Sequence, residues 1–293
     1  MYNRSRQHRD LQWVLKSPAL VTDGAPNIIW PNDRWFLDLP SLPWSLNLPT
    51  PKRAHSFRLG HHFERLLEYW LSHQRYFDLV SANLQVNADK RTIGEFDFLV
   101  EHNQKTEHWE AAIKFYLGYG DQENPYQWFG PNPSDSLGKK YAHLTSHQLS
   151  LSVYPESKDL LSNMNLRVDK VLCFMKGRLF YPIEKFNNRD FVHPAIVNPT
   201  HEKGWWLRTS DFESNFDRRW TYVLLEKPYW LSPLKSDLEG ESFETVFKKL
   251  INSEAQAARL VAVLDQDNHE LSRGFVVSEK WLALTNQKTS TLL

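Results

Sequence analysis

Three carboxylates and a lysine occupy positions in this chain where burial is expected, and together they offer the chemistry of a divalent-metal site. Two short apolar runs carry most of them: Gly94-Glu95-Phe96-Asp97-Phe98-Leu99-Val100 and His108-Trp109-Glu110-Ala111-Ala112-Ile113-Lys114-Phe115-Tyr116. Strand alternation places Glu95, Asp97 and Leu99 on one face of the first run, against Phe96, Phe98 and Val100 on the other. In the second run Glu110, Ala112 and Lys114 share a face, backed by Trp109, Ala111, Ile113 and Phe115. A buried carboxylate is costly unless it is paired, hydrogen-bonded or bound to a metal. Mg (or Mn) takes hard oxygen ligands and keeps several waters, so Asp97 and Glu110, with a peptide carbonyl of Ala111 or Ala112, suffice to hold it. Glu64, from a neighbouring helix, would add a ligand or orient water. Such a cation polarises a phosphate and activates water, and Lys114 would neutralise developing negative charge. An ordinary salt-bridged strand edge is the alternative, but the apolar neighbours of Glu110 and Lys114 argue against surface decoration.

The elements that must position these residues follow from the pattern. Phe63, Leu66, Leu67 and Trp70 recur at helical spacing over 59–71, with Glu64 and Glu68 one turn apart beside that stripe. Leu84 to Val86 reads as a strand, turned through Asn87-Ala88-Asp89-Lys90 into the Gly94 strand, and 101–105 as a polar hairpin loop into the His108 strand. A second helix is expected over 136–153, with Leu137, Tyr141, Leu144, Gln148 and Leu151 on its seam. Gln148 is the one polar residue there, either beside the acids or satisfied by nearby backbone. The segment 168–181 reads as a β-hairpin turning at Lys176-Gly177. Strands at 204–208 and 220–226, a helix over 242–259, and a strand with a short turn over 272–281 complete the pattern. A short helix is expected near 9–15, and 24–51 reads as an irregular arm packed on the domain, because Ile28, Ile29, Trp30, Trp35, Phe36 and Leu37 need cover.

Length and composition set the frame. The chain has 293 residues, enough for one large or two modest domains. Thirty-five basic residues balance thirty-five acidic ones, so a polyanion site must come from local clusters. Those at Arg4, Arg6, His8 and Arg9, at Lys52 and Arg53, at Lys139 and Lys140, and at Arg218 and Arg219 are small. Lys139 and Lys140 flank the Gln148 helix and are the best phosphate-backbone contacts, with a solvated face as the default. The single cysteine, Cys173, reads as a buried thiol, so no disulfide framework exists and a cytoplasmic location is expected. No apolar stretch reaches the roughly 18–20 residues that span a bilayer, and the basic start lacks the apolar core of a signal peptide. His61 reads as a phosphate contact or a surface residue, and His108 shares the Glu110 face without the further nitrogen or sulfur ligands that zinc wants.

The order of a helix glutamate in Gly60-His61-His62-Phe63-Glu64, a Gly-Glu-x-Asp strand, a Trp-Glu-x-x-x-Lys strand and a helix glutamine in His147-Gln148-Leu149 resembles the PD-(D/E)XK nuclease superfamily. More closely, the chain resembles an uncharacterised bacterial family assigned to it, a resemblance that takes in Arg273-Gly274-Phe275-Val276-Val277 as well. The resemblance implies an α/β, restriction-endonuclease-like mixed sheet flanked by helices, with an N-terminal arm (1–55), a core (56–185) and a C-terminal α/β extension packed on the core (186–293). It implies Glu64 as the first-helix acid, Asp97 and Glu110 as the motif acids and metal ligands, Lys114 in place of the motif lysine, and Gln148 as the helix glutamine. The lysine of the pattern falls two residues after the glutamate, where this chain has Ala112. Lys114 lies about 6.5–7 Å further along the strand. The implied activity is Mg-dependent hydrolysis of DNA or RNA, with no membrane partner. The alternative is a non-catalytic member that binds nucleic acid or protein.

Overall fold

The computed structural model describes residues 3–22, 24, 26–44, 47–48, 58–89, 91–252 and 257–291. Lys52, Arg53, Lys90 and part of the expected 24–51 arm therefore lie outside the described residues. The chain opens with α1 (Arg4–Lys16), β1 (Ile28–Ile29), α2 (Asp33–Asp38) and α3 (Leu59–His73). A meander follows, of β2 (Asp78–Ala88), β3 (Arg91–His102) and β4 (Lys105–Gly118). Next come β5 (Trp128–Phe129), α4 (Leu137–Ser146), a 3₁₀ turn (Gln148–Val153), α5 (Pro155–Asn163), β6 (Val168–Pro182) and α6 (Ile183–Asn188). The remainder is β7 (Glu202–Arg208), α7 (Phe212–Asn215), β8 (Thr221–Leu224), α8 (Phe243–Ile251), β9 (Arg259–Leu264), β10 (Glu270–Val277) and α9 (Glu279–Thr291).

The strands form one mixed sheet in the order β2-β3-β4-β6-β7-β10-β9-β8, with β1 beside β6 and β5 beside β4. Its ends are antiparallel, whereas β4, β6, β7 and β10 run parallel. An α/β architecture with helices on a multi-stranded sheet is thus present. The segment after residue 186 continues the sheet, so it joins the core edge to edge.

Both faces of the sheet are covered. On one, Phe63, Leu66, Leu67 and Trp70 of α3 pack with Phe98, Trp109 and Phe174, fulfilling the helical stripe. On the other, Leu137 and Leu144 of α4 pack with Tyr116, Cys173 and Met175, and Leu151 packs with Phe96 and Leu99.

Three expectations need correction. The 168–181 segment is no hairpin: β6 is continuous, with Lys176 and Gly177 paired to Ile113 and Lys114. A Cβ at Gly177 would lie 1.8 Å from the Lys114 carbonyl oxygen, so this glycine serves close strand approach and not a turn. The 136–153 helix breaks at His147 (φ −131°, ψ −63°), and Gln148 begins a 3₁₀ turn. The break lets Leu151 seat on Gly94, where a Cβ would lie 2.5 Å from the leucine side chain. Strict alternation also fails in β3. Phe96 joins Leu99 in one cluster and meets the His108 ring edge-on at 4.8 Å, while Phe98 faces the other way. The disturbance centres on Asp97, which lies opposite Asn83, a residue with φ of 54°. Elsewhere β9, α5 and most of α9 lay outside the expected pattern.

Candidate metal centre

The β3–β4 ladder runs from His102 and Lys105 at the hairpin to the Phe98–Trp109 pair, and no further pair is formed. β4 stays paired to β6 as far as Leu117, so it is β3 that peels away. The resulting notch lies between Glu95–Asp97 and Glu110–Ala112. Asp97 fills part of it, its Oδ2 accepting the Ala111 N–H at 2.8 Å in place of a strand partner. A gap in the sheet is open to both layers, which is how residues from helices on opposite faces meet there.

From one layer comes Glu64, the residue after buried Phe63 on α3. Its carboxylate lies beside Gly60, where a Cβ would make an ordinary contact, 3.7 Å from Oε1. From the other layer come Lys140 and Gln148. Gln148 Nε2 donates to Glu110 Oε1 at 2.5 Å, and Gln148 Oε1 accepts from Lys140 Nζ at 2.6 Å. Lys140 Nζ itself lies 3.8 Å from Glu110 Oε1. His147 anchors this corner through Nε2 and the Ile93 carbonyl oxygen, 2.8 Å apart. The second oxygen of Glu110 has no hydrogen-bond partner and lies 3.9 Å from His108 Nε2.

The electrostatics follow from this crowding. Burial pushes Asp97 up to about 7; the Ala111 N–H and Lys140 oppose the rise, and Glu64 and Glu95 add to it. Burial raises Glu110 well above the usual carboxylate range, with the charge of nearby Asp97 the next contributor. Glu64 is raised by burial and then by Glu95. Asp97, Glu110 and Glu64 are thus all held above the ordinary carboxylate range, with Lys140 the one cation opposing the rise.

Lys114 goes elsewhere. Its Nζ donates to Asp135 Oδ2 at 2.7 Å, and both side chains are about one-third exposed. The placement expected for it, with the amine beside Glu110, belongs instead to Lys140. The pattern held a sign of this: Lys140 is three residues after Leu137 and four before Leu144, on the inward side of α4. His61 is exposed. Cys173, paired across β4–β6 with Glu110, is a buried thiol whose pKa burial raises.

A second group lies at the β9–β10 turn, where ligand atoms of Asp265, Asp267 and His269 fall within 4.8 Å of one another and could hold a metal ion. Among the described residues only this trio closes to that spacing; Glu64, Asp97 and Glu110 converge less tightly. Asp265 Oδ1 already accepts the backbone N–H groups of Asp267 and His269, at 2.9 and 2.8 Å, so the turn itself accounts for the cluster.

Residues 9–277 match the family described as a domain of unknown function, DUF1853. The chain belongs to the DUF1853 family. The match takes in every residue of the notch and the β9–β10 turn. No curated protein and no solved structure matches the chain. Among the described residues of this DUF1853 chain, no helix is long and apolar enough to cross a membrane.

Proposed function

We propose that this DUF1853 chain is a metal-dependent nuclease of restriction-endonuclease-like fold that hydrolyses phosphodiester bonds of DNA or RNA, with the notch as its active site. The observation that carries the reading is Glu110. Its carboxylate is buried beside a second, half-buried acid, and has one oxygen bonded by Gln148 and the other without a partner. A structural carboxylate is normally satisfied by cations or N–H groups; one left facing other acids suits a cation.

The donors fit magnesium or manganese, because they are all oxygens and Oε2 of Glu110 is free to bind. Asp97 and Glu110 would hold the ion, with Glu64 reaching it from α3. When bound, the ion supplies charge stabilisation for the phosphate and a more acidic water. The residues of the chain do the remaining work. Asp97 is fixed by the Ala111 N–H, so it presents one oxygen to the notch. Gln148 holds Glu110 Oε1 and, through its own carbonyl, keeps Lys140 Nζ within reach. Lys140 supplies the positive charge for a phosphate, the role first expected of Lys114. Glu95, half-buried near Glu64 and Asp97, would accept a proton from attacking water.

The test is cleavage and binding together. Wild-type protein with manganese should cut single- or double-stranded nucleic acid, and Asp97→Asn should lose both cutting and manganese binding while remaining folded. One observation favours a second reading, a non-catalytic member that binds nucleic acid or protein. The lysine on the motif strand is spent on Asp135. Manganese binding without cleavage of any nucleic acid would select that reading.

A further inference from the structure

We propose that His108 is a positioning residue for Glu110, donating from Nε2 to Glu110 Oε2 once a divalent cation occupies the notch. The proposal rests on the metal-site reading above. His108 is fully buried, and neither ring nitrogen has a hydrogen-bond partner. Glu110 Oε2, itself without a partner, lies 3.9 Å from Nε2. Two orphaned polar groups facing each other inside a protein are costly to maintain, and such cases call for a functional explanation.

The geometry supplies one. Residues two apart on a strand share a face, so β4 stacks His108 directly beneath Glu110. The ring cannot wander: Leu99 pairs with its backbone across the ladder, and Phe96 holds it edge-on at 4.8 Å. What can move is the Glu110 carboxylate, whose Oε1 is held by Gln148 while Oε2 is unheld. A cation drawing it into place need shift it by less than about 1 Å for Oε2 to reach bonding distance of Nε2. A ring N–H on the second lone pair of that oxygen then fixes the orientation of the ligand, as outer partners of metal-binding carboxylates do. The irregularity at Asp97 gains a purpose as well, since it is what turns Phe96 onto the His108 face.

The experiment is manganese calorimetry on wild-type, His108→Phe and His108→Gln proteins, with nitrogen-15 spectra of wild-type His108 recorded with and without magnesium. His108→Phe should weaken manganese binding about 10- to 100-fold. His108→Gln, which keeps an amide donor at similar reach, should recover most of that loss. Magnesium should convert Nε2–H into a slowly exchanging, hydrogen-bonded proton. Equal manganese affinity in His108→Phe and wild type, or no change at Nε2 on magnesium addition, overturns the positioning role and leaves the metal site standing. Failure of wild-type protein to bind manganese overturns the metal site and this role with it. If His108→Phe does not fold, the wild-type spectra alone decide.

Discussion

Two regions of this molecule bury several charges each, and they solve the problem in opposite ways. Where α1 meets β10 and the 230–237 segment, Arg6 and Arg273 are fully engaged. Arg6 reaches Asp10 at 3.1 Å and the Ser232 carbonyl at 2.7 Å. Arg273 pairs with Glu270 and donates to the Trp230 and Ser232 carbonyls at 2.7 and 2.9 Å. Asp10 accepts the Ser232 N–H and hydroxyl at 3.0 and 2.6 Å. There the carboxylates are held low: burial pushes Glu270 and Asp237 upward, but Arg273 and Arg9 respectively, with their neighbours, more than offset it. In the notch, burial meets only one lysine, and the acids rise. The first arrangement is balanced, with Arg6, Arg9 and Arg273 against Asp10, Asp237 and Glu270. The second sets four acids against one lysine, a deficit that a divalent cation would reduce.

Breaking the balanced region should produce the largest loss of stability. Arg273→Ala leaves Glu270 buried and unpaired, and unfolding measurements should show a loss of about 3–5 kcal/mol. If the protein still folds, manganese affinity should be unchanged. Neutralising the acid-rich region should act in reverse. Asp97→Asn should stabilise the metal-free protein at pH 8 by about 1–3 kcal/mol, since it removes an acid held near 7, while lowering cleavage at least about 100-fold.

The pH dependence separates the regions by sign. Asp97 is raised in the folded state, so the native protein binds more protons than the unfolded chain between about pH 4 and 7. Its contribution is fully present below about pH 4 and is lost as pH rises to about 7. Glu270 and Asp237 are lowered, so theirs is present above about pH 4 and is lost as pH falls through their depressed values. Acidification from about pH 7.5 to 5.5 should therefore raise the melting temperature of metal-free wild type relative to Asp97→Asn, because the loss from His62, His108 and His201, whose imidazoles burial holds low, is common to both proteins.

A smaller contrast sharpens the assignment of the lysine. Lys140→Ala should lower cleavage about 100-fold or more. Lys114→Ala should cost less than about 1 kcal/mol of stability, because its Asp135 pair is partly exposed, and should leave cleavage within a few-fold of wild type. The reverse ranking would return the catalytic role to the motif strand.

Much of the notch's address was legible in the sequence, because burial of Glu110 among Trp109, Ile113 and Phe115 is a local property of one strand. The α3 stripe was legible for the same reason. What escaped depended on contacts between distant segments. Gly177 looks like a turn residue until Lys114 is set against it, and Gln148 looks helical until Leu151 must find Gly94. Lys140 was visible as a basic residue, but its partner is a strand 30 residues earlier, so its role emerged only from packing. Phe96 turns towards His108 of the neighbouring strand, which alternation within β3 cannot reveal.

The central claim, that the notch is completed by a divalent cation, is tested most directly by manganese calorimetry on wild type and Asp97→Asn at pH 6 and pH 8. Wild type should bind about one ion in the notch, more tightly at pH 8 than at pH 6, because protons on Asp97 and Glu110 must leave; Asp97→Asn should abolish that binding at both. Equal binding by the two proteins, or binding abolished instead by Asp265→Asn, would place the ion outside the notch and contradict the account.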